Sequence, residues 1–83
     1  MGLVLGAQVG DVFLIGERRV RVASIESSAR IVLQRDDGRL FVVRYDRMTE
    51  VFLDVFICIG SKPGSGSRRL VFDAPSTVVI SRN

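Results

Sequence analysis

Polar and apolar residues alternate along 18–25, where Arg19 and Arg21 interleave with Val20 and Val22. A period of two puts one set of side chains on a core and the other in water, so this stretch predicts a half-wet β-strand. "RIVLQ" at 30–34 and "LFVV" at 40–43 are more continuous and predict strands covered on both faces. The same reading along the rest of the chain gives short β-branched and aromatic runs bounded by Gly, Asp or Pro. It predicts strands near 3–7, 11–16, 18–25, 29–35, 39–45, 51–59, 68–73 and 77–82. "RDDGR" at 35–39 is a hairpin signal, because Asp37-Gly38 suits a tight turn whose central residues need positive φ. "RYDRMTE" at 44–50 offers the one weak helical turn, and "GSKPGSGS" at 60–67 reads as the flexible loop. Pro63 and Pro75 fall outside the strand cores. "ARIVLQRDDGRLFVVRYDR" and "RRLVFDAPSTVVISRN" echo each other loosely, which any two hairpins would do.

The length of 83 residues limits the chain to one domain with a small core. With 47% hydrophobic residues, that core predicts an oligomer in which a second surface makes up the shortfall. Net charge is +3, yet eleven of the twelve basic residues are arginine and Lys62 stands alone. A planar guanidinium fork suits phosphates, base edges and carboxylates, so an anionic partner is expected.

Histidine is absent and Cys58 is the single cysteine. This excludes Ser-His and Cys-His nucleophile pairs, most zinc sites and any intrachain disulfide. Cys58 reads as a small buried hydrophobe, and the composition fits a reducing cytoplasm. The first ten residues lack a basic n-region, and no apolar run is long enough to span a bilayer. Asp36 and Asp37 are adjacent, so their carboxylates diverge, and the serines lack a base. "GSKPGSGS" has the wrong spacing for a phosphate loop. No catalytic residue, cofactor, metal or small-molecule substrate is expected.

Both ends of the chain carry a recognisable pattern. "LVLGAQVGDVFLIGE" is an apolar strand, a two-residue step, Val-Gly-acidic, then a strand closing in Ile-Gly. "RRLVFDAPSTVVISRN" is an Arg-led strand, Ala-Pro, a short turn, then a Val-rich strand with Arg near its end. Together they resemble the carbon storage regulator (CsrA/RsmA) family of RNA-binding translational regulators, over well under half of the chain. The resemblance implies an all-β fold of small antiparallel, barrel-like sheets in an intertwined homodimer of five-stranded chains. In that family the first strand of one subunit lies beside the last strand of the other, and single-stranded or hairpin-loop RNA docks along the shared edge. GGA-type loops near ribosome-binding sites are the family's targets, so the implied function is post-transcriptional control of translation or mRNA stability.

Carried over residue by residue, the resemblance gives Arg82 the role of a charged fork on phosphate or guanine. Ala74 and Pro75 would form a stiff platform beside an unstacked base, with Val78 and Ile80 lining the edge strand. Arg69 matches a basic position of the preceding strand, and Leu5 a first-strand position that flanks RNA. Lys62 and Arg68 bracket the Gly-Ser loop, whose backbone N–H groups could approach phosphate. Arg18, Arg19, Arg21, Arg35 and Arg39 offer further basic surface. Phe13, Phe41, Phe52, Phe56 and Phe72 read as core, and Tyr45 as the aromatic left outside.

Two departures stand out. The family's Arg pair after the first strand is replaced by Ala7 and Gln8, which removes phosphate contacts. The family core is also shorter, leaving an insertion of about 35 residues within 17–67 that holds an extra hairpin. These departures keep a second function open: a protein-interaction module with weakened RNA binding that pairs with another family member or a different protein. A small Sm-like or SH3-like barrel that binds nucleic acid without sequence preference is the third.

Overall fold

The computed structural model describes residues 2–60 and 68–83. Nine strands lie among them: β1 (Gly2–Gly6), β2 (Val12–Ile15), β3 (Arg18–Ser27), β4 (Arg30–Arg35), β5 (Leu40–Arg44), β6 (Thr49–Phe52), β7 (Val55–Ile59), β8 (Arg69–Asp73) and β9 (Ile80–Arg82). The fold is all-β and every pairing is antiparallel. One sheet has the order β1-β8-β7-β6, and the other β5-β4-β3-β2-β9. No helix among the described residues is long and apolar enough to cross a membrane.

The alternation at 18–25 is realised, with Val20 and Val22 buried while Arg19 and Arg21 are exposed. Both sheets contribute to a single core. Phe13, Val22, Ile31, Leu33 and Val43 come from one sheet, and Ile57, Leu70 and Phe72 from the other, all at 0% exposure. The Phe13 and Phe72 rings meet across the layers at 5.2 Å, tilted by 57°, as aromatic pairs prefer.

Three local expectations change. The run 51–59 divides into β6 and β7 around Leu53-Asp54, with Asp54 at φ 61°. Asp tolerates the left-handed region better than most residues, so a turn sits inside an apolar run. At 35–39 Asp37 keeps negative φ and Gly38 alone is left-handed, at φ 89°. Gly38 N–H donates to Arg35 O, and Arg35 N–H to Arg39 O, which gives a three-residue loop closed by a glycine bulge. Residues 44–50 bend into β6 without a helical turn.

The region 17–67 does not hang off the fold. It supplies β3, β4 and β7, three of the five inner strands, together with β5 and β6 at the sheet edges. The echo seen in the sequence is half structural. β4 and β5 form a hairpin, whereas β8 and β9 lie in different sheets.

Candidate nucleic-acid interface

β1 and β9 are edge strands of opposite sheets, and residues of both line two hollows that together make up a groove. β1 is anchored by β8 and β9 by β2, so the outer edge of each carries backbone groups with no strand partner among the described residues. The β2–β9 pairing is extended by Gly16 N–H to Val79 O (2.8 Å) and Asn83 N–H to Val12 O (2.9 Å). Ahead of β9, Val78 N–H donates to Pro75 O at 2.9 Å, and this turn swings the chain from one sheet to the other.

One end of the groove is apolar. Leu3, Ala74, Pro75, Val78, Val79 and Ile80 line a cavity of about 320 Å³ there. Ala74 is buried, Pro75 is exposed, and Val79 is 73% exposed. A proline next to a buried alanine makes a rigid apolar shelf, because the pyrrolidine ring fixes φ.

The other end is basic and polar. Gly6, Ala7, Gln8, Asp11, Arg68 and Arg82 line a cavity of about 480 Å³. Asp11 organises it. Its carboxylate accepts from Gln8 N–H (2.9 Å) and from Arg82 Nη1 (2.8 Å), and its own N–H donates to Gln8 O. Arg82 Nη2 also donates to Gly6 O at 2.7 Å, and the guanidinium lies 5.3 Å over the Phe13 ring. The Arg82 side chain is still 44% exposed. A guanidinium has five N–H donors, so three remain for a ligand after these two bonds.

The groove therefore gathers six of the residues expected from the sequence: Ala74, Pro75, Val78, Ile80, Arg68 and Arg82. Leu5 does not line it; it is half-buried and packs on the core opposite Leu70. Arg69 is exposed on β8 opposite Gly6 but lines neither cavity. Lys62 lies outside the described residues. Ala7 is buried, with its N–H on Arg68 O, so its side chain offers a ligand nothing. Sequence reasoning missed Asp11 and Leu3. The acidic residue after Val9-Gly10 was legible only as part of a pattern, because its partner sits at the far end of the chain.

A second arginine cluster lies away from the groove. Arg18 forks onto Asp36 at 2.8 and 2.7 Å, and Arg35 forks onto Asp37. Hydrogen bonds from Arg18 hold the Asp36 carboxyl down to about 2, and those from Arg35 hold Asp37 well below the usual carboxylate range. Phe41 and Phe52 are half-buried, and guanidiniums cover their rings: Arg18 over Phe52 at 4.6 Å, Arg39 over Phe41 at 5.0 Å. Arg18 and Arg35 are thus neutralised within the fold. Arg19 and Arg21, with Gln34 and Asn83, line a separate basic hollow of about 440 Å³. Cys58 is half-buried, and that burial pushes its thiol up. Tyr45 is exposed.

No family model, curated protein or solved structure matches the chain.

Proposed function

We propose that the protein binds single-stranded or hairpin-loop RNA in the β1–β9 groove, and thereby controls translation or mRNA lifetime. The observation that carries this reading is the pairing of an apolar shelf with a basic end along two unpaired strand edges. Unpaired bases are flat, apolar on their faces and rich in hydrogen-bonding groups at their rims. The Ala74–Pro75 shelf suits a base face. The strand edges suit base rims, and Arg82 and Arg68 suit phosphate or guanine. By the resemblance described above, a GGA-bearing loop is the expected ligand, and occupancy that excludes the ribosome is the expected mechanism.

The test is binding of a GGA hairpin RNA against the same hairpin carrying CCA. Preference for GGA supports the reading. Equal affinity for both points instead to binding without sequence preference.

A second reading draws on the exposed Val4, Val9 and Val79 near the groove, at 52%, 61% and 73% exposure. Open strand edges beside apolar side chains also suit an extended peptide, from another family member or a different protein. That reading predicts affinity for protein partners with little salt dependence.

A further inference from the structure

We infer that the chain is a duplicated unit whose two halves have exchanged their first strands, so that one chain completes one RNA groove without a second copy. The inference rests on the RNA reading for the identity of the ligand. It rests on strand order and register for everything else.

The first half is β1–β4 and the second β5–β8. In each, three consecutive strands form an antiparallel meander: β2-β3-β4 and β6-β7-β8. The leading strand of each half joins the meander of the other, β1 on β8 and β5 on β4. The registers agree. Leu3 faces Phe72 as Phe41 faces Leu33, and Leu5 faces Leu70 as Val43 faces Ile31. Val22 faces Leu33 as Ile57 faces Phe72, and Phe13 faces Val20 as Phe52 faces Val55. The inner pairs match in burial: Val22 and Ile57, Ile31 and Leu70, Leu33 and Phe72 are all at 0% exposure.

The sequence carries a trace of the repeat. Asp11-Val-Phe-Leu14 corresponds to Glu50-Val-Phe-Leu53, and Arg30-Ile-Val-Leu33 to Arg69-Leu-Val-Phe72, at one common spacing. Between them the second half has a shorter turn after Phe52 and a longer connection after Ile59, which offset each other.

A further difference between the halves sets the number of two-stranded grooves. β9 covers the outer edge of β2, whereas the matching edge of β6 has no strand among the described residues. Arginine side chains stand along that edge instead, beside hollows of about 480 and 330 Å³. Arg35 Nη1 donates to Val51 O at 2.8 Å, and the Arg18 and Arg35 guanidiniums stand 4.6 and 5.4 Å from the Phe52 ring. On the other half, Arg82 from β9 stands over Phe13 in the same way. A groove of this kind needs a strand in the place of β9, and among the described residues only the β2 edge carries one. The single chain is also compact: its Cα radius of gyration is 11.4 Å, near the ~12 Å expected for a compact chain of this length.

Light scattering on size-exclusion fractions, with and without a GGA hairpin RNA, tests this. The expected free particle is one 9.2-kDa chain. The expected complex is one chain with one RNA. A free particle of twice that mass that persists on dilution, or a complex of two chains, overturns the inference and leaves the RNA reading intact. A single-chain particle that shows no RNA complex in a parallel titration overturns the RNA reading, while the exchanged halves stand. As a second measurement, the double variant Arg18→Ala/Arg35→Ala uncovers the β6 edge. The inference expects it to keep one RNA per chain. A second RNA bound, or loss of the first with the fold intact, overturns the claim that the β9 side alone makes the groove.

Discussion

Arg82 Nη2 lies 2.7 Å from the carbonyl oxygen of Gly6, so the tail of the chain is bonded to the end of its first strand. The same guanidinium holds Asp11 and covers Phe13. Arg82 therefore joins the two sheets at the basic end of the groove while keeping donors for a ligand.

Replacing Arg82 with Ala is expected to weaken GGA-hairpin binding by ~1–3 kcal/mol, the usual range for a lost bidentate contact to a base. The fold should lose about 1 kcal/mol as well, because a half-exposed fork and a ring contact disappear. Binding titrations and thermal melts separate the two effects. Unchanged affinity would remove Arg82 from the interface.

RNA affinity should fall steeply with salt. Each phosphate neutralised on a single strand contributes a slope of about −0.7 in log affinity against log salt, so Arg68 and Arg82 together predict about −1.4 or steeper. A flat titration from low to physiological salt favours the peptide-binding reading.

Acid should weaken the arginine-capped β4–β5 turn. Asp36 titrates near 2 in the folded chain against ~3.9 unfolded, and Asp37 is depressed in the same direction. A depressed folded value means the unfolded state binds protons first. The stabilisation is therefore complete above about pH 4 and disappears as pH falls toward 2. Denaturant midpoints at several pH values should show this drop, and Asp36→Asn should flatten it. An identical slope in the variant would rule Asp36 out as a source.

Among the described glycines Gly60 has the least room for a side chain. A Cβ there would stand 2.7 Å from Val71 Cγ2, on a branched side chain with little freedom to move, while Gly60 N–H bonds Arg69 O. Gly60→Ala is expected to cost about 1–3 kcal/mol, the range for overpacking. Chemical denaturation measures it, and a change within error of zero would show that Val71 has room to yield.

Much of the strand content was legible because it rests on local signals. Val20 and Val22 against Arg19 and Arg21 declare their own faces, and Gly38 declares its turn. The division of 51–59 was not legible, since Phe52, Leu53 and Val55 read as one apolar strand and the turn depends on Asp54 alone. Pairing was the larger gap. Nothing near Leu3 says that Phe72 lies opposite it, and nothing near Arg82 points to Gly6 or Asp11. Of the residues the end motifs single out, Ala74, Pro75 and Arg82 come together at the hollows beside β1 and β9, whereas Leu5 packs on the core.

The pairing of β1 with β8 and of β2 with β9 also governs how the protein acquires its shape. β1 and β2 find these neighbours only once β8 and β9 have been made, so closure must wait for them to leave the ribosome. Such distant pairing puts refolding in the slow range, about milliseconds to seconds. Until then the bare margins of β1 and β2 are sticky, and a nascent chain stalled before Arg69 should depend on chaperones.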